Sequence, residues 1–62
     1  MPVVVIYMWA GRTEEQKRKL VKEIYRAFNE SLGTQEKDLH IVIQDVPKNN
    51  WGLGGKLASE TS

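Results

Sequence analysis

Met1-Pro2-Val3-Val4-Val5-Ile6-Tyr7-Met8-Trp9 is the stretch that decides the fold. From Val3 to Trp9 it is apolar without a polar break, and it opens with four β-branched residues. A strand with one wet face alternates apolar and polar residues. An unbroken run belongs to a strand covered on both faces, commonly a parallel one. The proline ahead of it matters for chemistry. If Met1 is trimmed, Pro2 carries a free secondary amine at the mouth of the strand. A terminal amine titrates near ~8 in its reference state, and desolvation and nearby cations push it down toward neutrality. A free base at neutral pH is what proton abstraction beside a carbonyl requires. With Met1 retained, the same nitrogen is an amide with no basic lone pair, and proline at the second position is common for other reasons.

Downstream, Ala10-Gly11-Arg12 turns the chain out of the strand. Thr13-Glu14-Glu15-Gln16 fits a capping box, and Glu14 and Glu15 suit the positive end of a helix dipole. The helix runs to about Leu32. Leu20, Val21, Ile24, Ala27, Phe28 and Leu32 recur at three- and four-residue spacing and form its apolar stripe. Glu14/Arg18, Glu15/Lys19 and Arg26/Glu30 are i,i+4 pairs on the wet side, and Gly33 is a natural stop. A polar connector, Thr34–Asp38, leads to a second strand, Leu39–Val46. Strand, helix and strand of these lengths make a right-handed β-α-β unit with parallel strands. Pro47-Lys48-Asn49-Asn50 ends the second strand. Trp51-Gly52-Leu53-Gly54-Gly55 reads as a tight turn or small hairpin, and the polar tail from Lys56 reads as mobile unless it docks.

Sixty-two residues allow a single α/β domain, residues 1–62, and a small core. Mass scaling gives about 10,000 Å² exposed by the unfolded chain and about 4,000 Å² by a compact monomer. If about 60% of the difference is apolar, burial contributes on the order of 90 kcal/mol. Ordering the chain costs on the order of 90 kcal/mol as well. The two cancel. There is no cysteine for a disulfide and a single histidine, so neither a disulfide nor a zinc site supplies the difference. A homo-oligomer is the remaining route to stability. It also covers the strand face that one helix cannot. The net charge of +1 gives no strong pull toward nucleic acid or membrane. No signal peptide or bilayer-spanning run is present, and a cytoplasmic protein is expected.

Four residues carry candidate chemistry. Pro2 is the potential base. Arg12 is a cation at a helix N-terminus, where local rules disfavour one. It is either an exposed turn residue or, with the first helical amides, a carboxylate ligand. His40 opens the second strand and shares a face with Val42, Gln44 and Val46. It is a half-buried, hydrogen-bonded histidine or a substrate-contacting donor. Trp51 either walls an apolar pocket or packs in a core or interface. Gly52, Gly54 and Gly55 do not satisfy a dinucleotide fingerprint, because no helix follows them. Arg18, Lys22 and Arg26 lie among glutamates and read as a solvated face, so no nucleic-acid partner is expected.

The N-terminal Met-Pro, the Gly11-Arg12-Thr13-Glu14-Glu15-Gln16-Lys17 segment, the apolar second strand and Asn50-Trp51-Gly52-Leu53-Gly54-Gly55 together resemble the 4-oxalocrotonate tautomerase family over nearly the whole chain. The resemblance implies a β-α-β unit with a short C-terminal hairpin, paired into dimers and assembled as a hexamer, a trimer of dimers, with sites shared between subunits. It implies a cofactor- and metal-free isomerase of aromatic degradation acting on enol or dienol acids such as 2-hydroxymuconate or phenylenolpyruvate. Pro2 would be general base and then acid. Arg12 would bind a substrate carboxylate, and Trp51 would line the pocket where typical members have phenylalanine. His40 stands where the family's dicarboxylate tautomerases carry a second arginine. A neutral imidazole donates one hydrogen bond and cannot hold a carboxylate bidentately, which points to a monoacid or another substrate. The family's dehalogenases use an acidic residue near the glycine cluster, and Trp51-Gly52-Leu53-Gly54 has none, so a hydratase- or dehalogenase-like member is the weaker alternative. A non-catalytic or partner subunit of a hetero-oligomer is the other.

Overall fold

The structure is a computed structural model and describes residues 2–61. The apolar run forms β1, Val3–Trp9. It pairs in parallel with β2, His40–Val46, in a register that sets Val3 beside His40, Val5 beside Val42, Tyr7 beside Gln44 and Trp9 beside Val46. The His40 N–H donates to the Pro2 carbonyl (3.2 Å) at one end of the ladder, and the Ala10 N–H donates to the Val46 carbonyl (2.9 Å) at the other. The crossover between the strands is α1, Glu14–Leu32. Its start is the expected capping box: the Gln16 N–H donates to Thr13 Oγ1 (3.1 Å) and the Thr13 N–H to Gln16 Oε1 (3.0 Å). Gly33 ends it at φ 71°, a left-handed conformation that suits a residue without Cβ.

α1 lies over one face of the β1–β2 ribbon. That face presents Val4, Ile6 and Met8 beside Ile41, Ile43 and Asp45. The apolar members are half-buried, and Asp45 is tied to α1 by a salt bridge from Lys17. Leu20, Val21, Ile24, Tyr25 and Phe28 form the half-buried side of α1. Two stripe residues fall outside it. Ala27 is exposed, and Leu32, the last residue of α1, is 71% exposed. Tyr25 takes their place. On the wet side Arg18 bonds both Glu14 and Glu15, so the anticipated Glu15/Lys19 pair gives way to a spacing of three. Arg26 meets Glu23 and Glu30. Exposed pairs of this kind contribute about 0–1 kcal/mol each.

The opposite face of the ribbon has no cover among the described residues. Val3 is 59% exposed, Val5 50% and Tyr7 66%. The two-sided apolar character of β1 is therefore half satisfied by α1. The chain measures 42 × 23 × 15 Å, with a radius of gyration of 14.6 Å, against about 11 Å for a compact domain of this length. Its surface of 4880 Å² exceeds the roughly 4,000 Å² of a compact monomer. Among the described residues only Ala58 is fully buried.

Ala58 belongs to the region where the sequence reading needs most correcting. Residues 56–61 of the tail are ordered, not loose. After a 3₁₀ turn at Lys48–Asn50, β3 (Gly52–Leu53) and β4 (Lys56–Leu57) make an antiparallel hairpin. A short helix, α2 (Ala58–Thr61), closes it. The Ala58 N–H donates to the Trp51 carbonyl (2.7 Å), and the Leu57 N–H donates to Glu60 Oε2 (3.0 Å). The polar residues of the tail are its caps. β2 also starts at His40 instead of Leu39, since Leu39 closes the 3₁₀ turn Glu36–Asp38 through its N–H to Glu36. Among the described residues no helix is long and apolar enough to cross a membrane.

Candidate functional site

The parallel ribbon sorts the four candidate residues into two groups. Pro2 and His40 sit at the edge where both strands begin, joined by the backbone bond from His40 to Pro2. Pro2 is half-buried. His40 is exposed, unlike the half-buried histidine the strand pattern allows for, because it opens β2 on the uncovered face. Met1, whose retention or removal sets the character of the prolyl nitrogen, lies outside the described residues.

Arg12 and Trp51 sit at the opposite edge, where the strands end. Gly11, at φ 121°, swings the chain from β1 into the helix cap and sets Arg12 beside the last turn of β1. Arg18 and Arg26 are each held by two glutamates. Arg12, the third arginine, has no carboxylate partner among the described residues. It lines a cleft with Tyr7, Met8, Trp9 and Trp51, and it also borders a second recess with Met8, Gln16, Lys17 and Leu20. Trp51 is fixed at both backbone ends: its N–H donates to the Lys48 carbonyl (3.2 Å) and its carbonyl accepts from Ala58.

Sequence reasoning missed Trp9. Its ring stands edge-on to Trp51, with centroids 6.1 Å apart and planes at 82°. Lys48 Nζ lies 4.8 Å from the Trp9 ring centroid. The available signal was the period of two along β1: Trp9 shares the uncovered face with Val3, Val5 and Tyr7. In an all-apolar run that alternation is invisible.

An unpartnered guanidinium against aromatic walls can hold a carboxylate and the flat group attached to it. The other edge offers an imidazole and the proline. The seven residues of β1 hold the two edges about 20 Å apart at ~3.3 Å per residue. One chain thus brings Arg12 and Trp51 together, and Pro2 and His40 together, but not the two pairs. Among the described residues no cluster of three His, Cys, Asp or Glu side chains could hold a metal ion.

Comparison with known proteins places this architecture. The description "Tautomerase enzyme" matches residues 2–60. A 2-hydroxymuconate tautomerase of Comamonas testosteroni is 43% identical over 60 residues, 97% of this chain and 95% of that one. A Pseudomonas putida protein of the same name is 42% identical over the same shares. Among solved structures, a 4-oxalocrotonate tautomerase isozyme from Methylibium petroleiphilum superposes with a TM-score of 0.86 at 43% identity, covering 94% of each chain. The parallel β-α-β unit with its C-terminal hairpin is the fold these proteins share, and the chain belongs to the tautomerase enzyme family, alongside the 4-oxalocrotonate tautomerases.

Proposed function

We propose that this enzyme converts enol or dienol carboxylic acids, of the kind represented by 2-hydroxymuconate and phenylenolpyruvate, to their keto forms at a site completed by a second copy of the chain. The observation that carries the reading is the division of the candidate residues between two edges of an apolar ribbon whose outer face is uncovered. A second copy laid antiparallel on that ribbon covers Val3, Val5 and Val42 and sets Pro2 of one chain near Arg12 of the other. Such a two-fold contact makes two equal sites. Further pairing into a hexamer follows the family resemblance.

The proton bookkeeping needs only this chain's groups. With Met1 removed, Pro2 takes the proton from the substrate's 2-hydroxyl. The C2–O bond becomes a carbonyl and the adjacent double bond shifts. Pro2 then returns the same proton to carbon, so the enzyme ends as it began. Arg12 clamps the carboxylate. The His40 imidazole donates to oxygen as charge develops there. Trp51 walls off water.

Intact mass of the natively expressed protein, paired with an enol-to-keto absorbance assay, tests this. A mass lacking methionine with measurable ketonisation is expected, and Pro2→Ala should abolish ketonisation while the oligomer persists. Turnover undiminished in that variant would sink the reading. The presence of His40 favours one other: a partner subunit without catalysis of its own, which a mass retaining methionine and no turnover would support.

A further inference from the structure

Three of the chain's five aromatic rings, Tyr7, Trp9 and Trp51, line the cleft that holds its unpaired guanidinium. The two indoles form a right-angled corner, and a planar ring entering such a corner can stack on one and meet the edge of the other. The corner is built before any ligand arrives. Trp51 is held at both backbone ends, while Trp9 is anchored in β1 and carries the Lys48 ammonium over its ring. Lys48 reaches it because Pro47, directly after β2, sends the chain into a 3₁₀ turn beside the end of β1. The recess on the other side of Arg12 contains no aromatic residue. The cleft therefore combines a cation with no carboxylate partner among the described residues and an aromatic wall anchored through its backbone.

We infer that Trp9 is a specificity-determining residue that makes this site select enol monoacids bearing an aryl group over linear dienol diacids. The inference rests on the tautomerase reading for its substrate class, but the cleft lies within one chain and can be probed without turnover. Arg12 takes the single carboxylate and the Trp9–Trp51 corner takes the ring. A linear diacid has no ring to stack in the corner, and a second carboxylate there would draw the Lys48 ammonium off the Trp9 face. One aromatic contact of this type is enough for about a tenfold preference.

The test uses the assembled protein and two unreactive acids, cinnamate and muconate, with affinities measured by calorimetry. kcat/KM is measured in parallel on phenylenolpyruvate and 2-hydroxymuconate. In the native protein cinnamate should bind about tenfold or more tighter than muconate, with the same order in kcat/KM. Trp9→Leu should reduce that ratio about tenfold, and Trp9→Phe should restore most of it. A ratio unchanged in Trp9→Leu, or equal losses on both acids, overturns the inference while leaving the tautomerase reading intact if turnover persists. Absence of turnover on both substrates with a Trp9-dependent cinnamate preference would do the reverse, retaining the selective cleft and removing the reaction.

Discussion

Where the two strands begin, the ribbon itself is sparse: it carries a proline and an exposed imidazole, with the charged turn Glu36-Lys37-Asp38 leading into it. Where they end, it carries a guanidinium, two indoles at right angles, a phenol and an ammonium over one ring. The contrast follows from connectivity. Parallel strands gather both of their exits at one edge, and here each exit leads into a loop with side chains to place: Gly11-Arg12 after β1, Pro47-Lys48 and the hairpin after β2. The opening edge receives only the chain's start and the 3₁₀ turn ahead of β2. On the proposed function, the difference is a division of labour, with proton chemistry at the sparse edge and recognition at the crowded one.

The strongest way to break that division is complementation. Pro2→Ala should lower kcat about 10²–10⁴-fold, the range for loss of a general acid-base group. Arg12→Ala should raise KM about 10–100-fold through loss of a charged, bidentate partner. Unfolded together and reassembled, the two variants should regain activity in about a quarter of their sites, since each mixed two-fold pair keeps one intact combination. No recovery on mixing would mean that each chain uses its own Pro2 and Arg12, contrary to the separation seen here.

A smaller effect sharpens the sparse edge. His40→Arg supplies a second bidentate group beside Pro2. Relative kcat/KM for 2-hydroxymuconate over phenylenolpyruvate should rise about tenfold. An unchanged ratio would remove His40 from the site. Smallest is a change belonging to neither edge. Thr13→Ala deletes the hydroxyl that caps α1 and should cost about 1 kcal/mol of stability in denaturant melts, with substrate preference untouched. A shifted preference would show that the cap also positions Arg12, its neighbour.

Much of this was legible beforehand because it obeys simple rules. The capping box at Thr13, the stop at Gly33 and the Pro47 break follow from residues within a few positions of where they act, and the parallel pairing follows from the strand-helix-strand order. The corner between Trp9 and Trp51 was not legible. It joins residues 42 positions apart through a strand whose alternation is masked by being apolar on both sides. The tail was misread for a related reason. Lys56, Ser59 and Glu60 look like solvent-seeking residues, yet Glu60 caps the Leu57 N–H and Ala58 is buried with its N–H on the Trp51 carbonyl. Composition says nothing about which polar group closes a turn. The grouping into edges could have been drawn from strand length alone, since Pro2 and Arg12 flank seven extended residues.

A chain drawn out to 42 Å, with Ala58 as its one fully sealed side chain among those described, would on the proposed two-copy site tie its folding to its abundance. When the native form exists chiefly in association, mass action makes its stability depend on protomer concentration. Dilution then acts as a denaturant. Specific activity should fall as the enzyme is thinned, recover on concentration, and hold at lower protein levels when a carboxylate ligand bridges the two edges.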